Sequence, residues 1–285
     1  MRLLEAIRNA RRGGGRADNE ERERKMNGKG SAEPTVVPLG EAMADGRRVQ
    51  WRVDGNTGSL LLAGYPASGK SVAVRSILAH VERHPEAWKA YLIDPRRVEF
   101  GSFAGHPSVA EVTTDLERIT ALLSELRAEV ERRYSLMKAE GAKNLASLNE
   151  ALDSRAEQML PRLLVVVDEV AEVTTDTGSS EAEGALCRKA KESLEALVRL
   201  GRAAGVHAVI CTQRPDVAHL PGATLANIQA RVAFAGLSRT GSEMTIEDEA
   251  AAELPRTPPG RGIYYENGKL TEMQTYWIEP EKGEE

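Results

Sequence analysis

Cysteine is nearly absent: Cys187 and Cys211 are the only two in 285 residues. They have no CxxC spacing and no histidine cluster beside them, so disulfide, metal and nucleophile roles find little support, and both read as buried reduced thiols. Long apolar runs are missing too. No window approaches the roughly 18 to 20 uninterrupted apolar residues of a membrane span, and the N-terminus lacks the apolar core of a secretory signal. The expectation is a soluble, cytoplasmic protein. A general positive charge is also lacking, since 38 Lys/Arg stand against 43 Asp/Glu for a net charge of −5. Overall charge therefore gives no sign of nucleic-acid binding.

The charge that is present is unevenly spread. Residues 1–30 hold nine Lys/Arg against five Asp/Glu, leaving 29 against 38 for the remainder. Residues 1–34 read as a flexible, disordered basic arm: a solvated tail, with contact to DNA, anionic lipid or a membrane or transfer-complex partner as the other reading. An acidic tail is expected at 281–285. Between them, 35–280 reads as a single domain, and 41% hydrophobic residues allow it a sizeable core.

Within that domain short apolar runs alternate with longer helical segments, which predicts an α/β fold with a mostly parallel sheet flanked by helices. Strands are expected at Ser59–Ala63, Tyr91–Ile93, Leu163–Val167 and Ala208–Cys211, with later ones at Arg231–Phe234 and Ile263–Tyr265. The unbroken apolar run at Leu163–Val167 suits a strand buried on both faces. Ser71–Val81 is helix-like. Leu116, Ile119, Leu123, Leu126, Val130, Tyr134 and Met137 advance by threes and fours, which predicts a long amphipathic helix packed on the sheet. Asp176–Gly184 and Pro255–Gly262 read as surface loops or turns.

The segment Gly64-Tyr65-Pro66-Ala67-Ser68-Gly69-Lys70-Ser71, with Val72 following, fits G-x-x-x-x-G-K-[ST]. It lies between a buried strand and a helix, where such a loop can turn its N–H groups toward phosphate. Lys70 then reaches the β- and γ-oxygens of ATP, and the Ser71 hydroxyl ligates Mg²⁺. A second apolar strand ends at Asp168-Glu169. Asp168 is the expected metal carboxylate, and Glu169 the general base that polarises the attacking water. Gln213, at the end of the fourth strand, is a candidate sensor of the γ-phosphate or the water.

These segments, in this order, resemble the FtsK/SpoIIIE family of hexameric double-stranded-DNA translocases, over roughly Val36 to Ile278. The resemblance is carried by Val37-Pro38-Leu39-Gly40, the phosphate loop, Asp94-Pro95-Arg96-Arg97, Glu131-Arg132-Arg133-Tyr134, Val167-Asp168-Glu169, and Arg202-Ala203-Ala204-Gly205-Val206-His207 leading into Thr212-Gln213-Arg214-Pro215 and Ala226-Asn227-Ile228. It implies a RecA-like P-loop ATPase core and a homo-oligomeric, hexameric ring, with ATP between subunits and DNA in the pore. Arg202 matches the position that acts across the interface, with Arg132 and Arg133 as second choices. Arg214 and Arg239 match DNA-contacting positions. Leu225 and Glu243 stand where the family has basic residues, so two of four contacts are lost and the grip on DNA should weaken.

The resemblance also implies what would be missing: a membrane anchor, and a C-terminal winged-helix module after Ile278. A bare motor of this kind suits DNA transfer or segregation for a plasmid, integrative element or phage. The alternative is a related ring ATPase or coupling protein acting on a protein substrate in a secretion or conjugation system.

Overall fold

The computed structural model describes residues 34–216 and 219–277. The basic arm, apart from its last residue, and the acidic tail lie outside the described residues. The strands are β1 (Val36–Ala42), β2 (Arg48–Arg52), β3 (Leu60–Ala63), β4 (Trp88–Ile93), β5 (Val109–Thr113), β6 (Arg162–Val167), β7 (Val206–Thr212), β8 (Ala230–Phe234), β9 (Arg261–Glu266) and β10 (Lys269–Thr275). The helices are α1 (Lys70–Glu82), α2 (Leu116–Glu140), α3 (Leu145–Asp153), α4 (Val170–Thr174), α5 (Glu181–Ala204), α6 (Gly222–Leu225), α7 (Arg239–Ile246) and α8 (Ala250–Glu253).

All ten strands form one sheet in the order β2-β1-β10-β9-β8-β3-β7-β6-β4-β5. The six from β8 to β5 are parallel, and the remaining four extend that sheet in antiparallel pairing. Burial on both faces explains the unbroken apolar runs of the central strands. Leu60, Leu62, Leu164 and Val166 point to one face, where Val74, Ile77 and Leu78 of α1 cover them. Leu61, Val165 and Val167 point to the other, under Ile119, Leu123 and Leu126 of α2 and Leu194 and Leu197 of α5. The long amphipathic helix thus packs where its stripe predicts.

The structure differs from the sequence reading in several places, among them β5 at Val109–Thr113, which was not expected, and β9, which begins at Arg261 inside the expected turn. The stretch expected as a loop at Asp176–Gly184 turns helical at Glu181, because the Ser180 side chain accepts from the Glu183 N–H and caps α5. The antiparallel extension also goes beyond the expected strands, adding β1, β2 and β10.

A buried arginine joins the two long helices. The Arg133 side chain is only 2% exposed; it donates to the Ala204 carbonyl at the end of α5 (2.9 Å) and to Glu129 (2.7 Å). Its neighbour Arg132 is half exposed and pairs with the same Glu129 at 2.6 Å. Arg133 is therefore a helix-end donor inside the subunit, not a group free to reach across an interface. Arg133→Ala should lower unfolding free energy by about 2 kcal/mol, since buried charged hydrogen bonds are lost, whereas Arg132→Ala should cost less than about 1 kcal/mol. Denaturant titration of the two variants measures the difference.

Candidate nucleotide site

Because β3, β4, β6, β7 and β8 run parallel, their C-terminal ends meet at one edge of the sheet, the usual place for ligands in such folds. Gly64 follows β3, Asp94 follows β4, Asp168 and Glu169 follow β6, and Gln213 follows β7. A cleft of about 420 Å³ opens there, lined by the phosphate loop with Arg96, Glu99, Asp168 and Gln213.

The loop ends at Gly69, whose φ of 116° is open to glycine and strained for other residues. It is also wedged against a second turn: a Cβ on Gly69 would stand 2.5 Å from the Gly260 Cα. The Gly260 N–H donates to the Ser68 carbonyl at 2.8 Å. From Gly69 the chain enters α1, whose first residues, Lys70, Ser71 and Val72, line the cleft, the position at which a helix N-terminus can receive an anion. Lys70 is 8% exposed. Its ammonium donates to the Gly64 carbonyl and, at 3.2 Å, to that of Tyr65. Burial lowers its pKa, while Glu169 and Asp168 act in the opposite sense.

Asp168 sits in a crowd of negative charge. Burial, with Glu99, Asp94 and Glu169 nearby, pushes its pKa up to about 6, Lys70 opposing. Its carboxylate makes no hydrogen bond or ion pair among the described residues. That is the charge balance of a site that gains from a cation, with Ser71 as the hydroxyl partner in the same cleft. Among the described residues no group of three or more His, Cys, Asp or Glu could hold a metal alone. The donor set therefore fits Mg²⁺, which takes few protein ligands and completes its shell with phosphate and water.

Glu169 is 2% exposed. One carboxylate oxygen accepts the Gln213 backbone N–H at 3.0 Å and lies 3.9 Å from Arg96; the other is buried without a partner. Gln213 lines the cleft. Arg202 does not. It lies at the end of α5, donating to the Gly55 carbonyl (3.3 Å) and the Asn56 side chain (3.1 Å). A Cβ on Gly58 would stand 2.7 Å from the Arg202 Cβ, so close approach at the start of β3 seats the arginine. Gly58 and Gly64 bracket β3, which puts Arg202 and the phosphate loop roughly 20 Å apart at opposite edges of the sheet.

Arg214 and Arg239 follow β7 and β8 at the same edge as the cleft, and both are exposed. Their segments touch: a Cβ on Gly241 would meet Pro215 at 3.6 Å. Arg239 pairs with Glu249 at 3.4 Å. Buried Arg231 ties this region together, donating to the carbonyls of Ile228 (2.7 Å), Leu225 (3.0 Å) and Thr245 (3.1 Å). Leu225 itself packs into the core beneath α5, and Glu243 is exposed.

Sequence reasoning gave no site role to Arg96, Val98, Glu99, Pro259 or Trp277, all of which line the cleft. Tyr65, Val98 and Trp277 are large apolar side chains left exposed around it. The Asp94-Pro95 step was the one signal for the first group; nothing local marked Trp277.

The model of the FtsK/SpoIIIE family matches residues 21–217. The chain is 34% identical over 210 residues to the DNA translocase FtsK of Helicobacter pylori strain J99, covering 70% of this chain and 24% of that one. It is 35% identical over 230 residues to the DNA translocase FtsK of Lactiplantibacillus plantarum, covering 78% and 28%. It thus spans about a quarter of the length of these relatives. Among solved structures, the pCW3 conjugation coupling protein TcpA with ATPγS superposes with a TM-score of 0.79 at 26% identity, covering 87% of this chain and 68% of that one. The cytoplasmic domain of the type VII secretion ATPase EccC of Thermomonospora curvata shares the fold, with a TM-score of 0.73 at 22% identity over 90% and 30%. With the family match covering more than half of its length, the chain belongs to the FtsK/SpoIIIE family and folds as a P-loop ATPase core.

Proposed function

We propose that this P-loop ATPase couples ATP hydrolysis to movement of double-stranded DNA, as one subunit of a ring. One observation carries the reading: the phosphate loop, Asp168 and Glu169 share a sheet edge with the exposed, touching segments of Arg214 and Arg239. Hydrolysis and grip would then be worked from adjoining loops. The curated relatives named above are DNA translocases, which supports the choice of cargo.

Lys70 exchanges its contacts on the loop carbonyls for the phosphate oxygens of ATP. Ser71 and Asp168 would hold Mg²⁺, which would supply neutralisation of the charge on the phosphates. Glu169 takes the proton of the attacking water, and the Gln213 amide orients that water. The exposed apolar rim of Tyr65, Val98 and Trp277 is where the base lies. Arg202, at the far edge, completes the site of a neighbouring copy, where its guanidinium stabilises charge on the transferred phosphate. This is the reason for reading a ring, and the family resemblance is what suggests six subunits.

The structural likeness to a conjugation coupling protein and the apolar Leu225 favour a second reading, a coupling or secretion ATPase with a protein cargo. ATPase rates with linear duplex, single strand, protein substrate and no addition separate the two. Duplex should raise the rate, and the same rate with and without duplex over a range of salt would sink the DNA reading. Lys70→Ala should lose hydrolysis, and Glu169→Gln should lower kcat by about 10²–10⁴-fold while still binding nucleotide.

Arg202→Ala subunits mixed into wild-type assemblies should lower activity by more than their share of the mixture. A loss merely proportional to that share removes the role across the interface.

Asp168 also sets a pH dependence. Its raised pKa means that the folded protein binds this proton more tightly than the unfolded chain does, so the strain of its charge is greatest above about pH 6 and fades as pH falls through 6 toward ordinary carboxylate values. Without metal, Asp168→Asn should therefore raise Tm at pH 8 and have little effect near pH 4. In wild type, the Mg²⁺ concentration needed for half-maximal rate should rise as pH drops below 6, because protonation removes the ligand charge. Thermal melts and Mg²⁺ titrations at several pH values test both.

A further inference from the structure

The carboxylate read as the general base does not line the cleft it serves. Glu169 is held by the Gln213 N–H on one side and faces Arg96 at 3.9 Å, with its second oxygen buried and unpartnered. Arg96 does line the cleft, beside Lys70, Ser71 and Asp168. Its guanidinium rests against Glu169 and Glu172, while the residue lines the cleft in which the phosphates of a bound nucleotide would lie.

The turn that presents Arg96 is well fixed. Asp94 accepts the N–H groups of Glu99 (2.9 Å) and Phe100 (3.0 Å), and the Arg97 N–H returns to the Asp94 carbonyl at 3.0 Å. The arginine head is held less firmly. It makes one hydrogen bond, to Glu172 at 3.1 Å, with both partners solvent-accessible; its distance to Glu169 is too long for a second. Exposed pairs of this kind are weak. A phosphate group offers a guanidinium more charge and paired oxygens, and so competes well for it.

We propose that Arg96 is a sensor of the terminal phosphate within its own subunit. With a diphosphate it stays on the Glu169–Glu172 side and keeps the base withdrawn. A third phosphate draws the guanidinium forward, and Glu169 is released toward the attacking water. Arg96 thus acts as a positioning residue for Glu169. The inference rests on the reading of Gly64 to Ser71 as an ATP site and of Glu169 as its base.

The test is binding, measured calorimetrically with ATPγS and ADP in Mg²⁺ on the full chain. Wild type should prefer ATPγS. Arg96→Ala should weaken ATPγS by about tenfold, the size of one charged hydrogen bond, and leave ADP within about twofold; Arg96→Lys should recover part of the loss. Glu172→Gln, which loosens the rear contact, should tighten ATPγS but not ADP, and this gain should vanish in the Arg96→Ala background. If Arg96→Ala leaves the ATPγS preference intact, or weakens both nucleotides alike, the sensor is overturned. It is also overturned if the Glu172→Gln gain persists without Arg96, since that is a general charge effect. Failure of wild type to bind either nucleotide, or equal binding by Lys70→Ala, refutes the ATP site itself, a separate result.

Discussion

The hydrogen bond from the Gly260 N–H to the Ser68 carbonyl joins two halves of the sheet that the chain builds separately. On one side is the phosphate loop, at the end of a parallel strand; on the other is the turn into β9, in the antiparallel extension. The backbones approach so closely that neither Gly69 nor Gly260 has room for a Cβ: at Gly260 it would stand 2.4 Å from the Thr275 hydroxyl. The Thr275 N–H returns to the Gly260 carbonyl at 2.9 Å, and the Gln274 amide donates to Pro259 at 2.7 Å. The loop is thus braced from outside the classical strand-loop-helix unit, and the same brace brings Trp277 to the rim of the cleft. Preorganised N–H groups recognise phosphate best when they do not have to be ordered on binding.

Around that brace the charges are arranged in opposition. Asp94, Glu99, Asp168 and Glu169 concentrate negative charge at the strand ends, and Lys70 and Arg96 are the cations placed among them. Neither cation is idle, for each rests on oxygens of its own subunit. In the proposed ATP site phosphate would therefore enter by exchange of partners, with little new charge to bury. Arg202 stands outside this arrangement at the opposite edge, where Gly55 and Asn56 hold it in place. On the proposed reading one edge would bind phosphate and the other would present an arginine, the asymmetry that a head-to-tail ring requires.

Much of this was legible in the sequence because the central strands are buried on both faces. Leu163–Val167 and the phosphate loop declare themselves locally, and parallel pairing then places Asp168, Glu169 and Gln213 together. The antiparallel extension was harder to read. β1 carries Pro38 and Gly40 and bulges between them, and β10, Lys269–Thr275, is mostly polar, so their strand character comes from pairing more than from pattern. The start of α5 did leave a signal, Ser180 followed by Glu183, which the surrounding Thr, Ser and Gly residues obscured. For Arg96 the Asp94-Pro95 step marked the turn but not the partners, because Glu169 and Glu172 lie more than seventy residues away and only the fold brings them near.

The cargo surface follows from the same packing logic. Leu225 lacks the charge expected for a DNA contact, but it is half-buried beneath α5, and its carbonyl accepts Arg231 at 3.0 Å. At this position the side chain packs against the core. Arg231 extends the anchoring to Thr245 and, at 3.1 Å, to Glu247, while its guanidinium lies 4.7 Å over the Tyr265 ring. The helix bearing Arg239 is therefore tied to a buried cation through Thr245, and the segment bearing Arg214 lies against that helix where Pro215 approaches Gly241. Fewer contacts per subunit lower affinity and its salt dependence together. On the proposed reading, a motor that must release its track at every step would lose little by a weak grip, provided that each contact moved with the site that hydrolyses ATP, and the closeness of these segments to the cleft would serve that coupling.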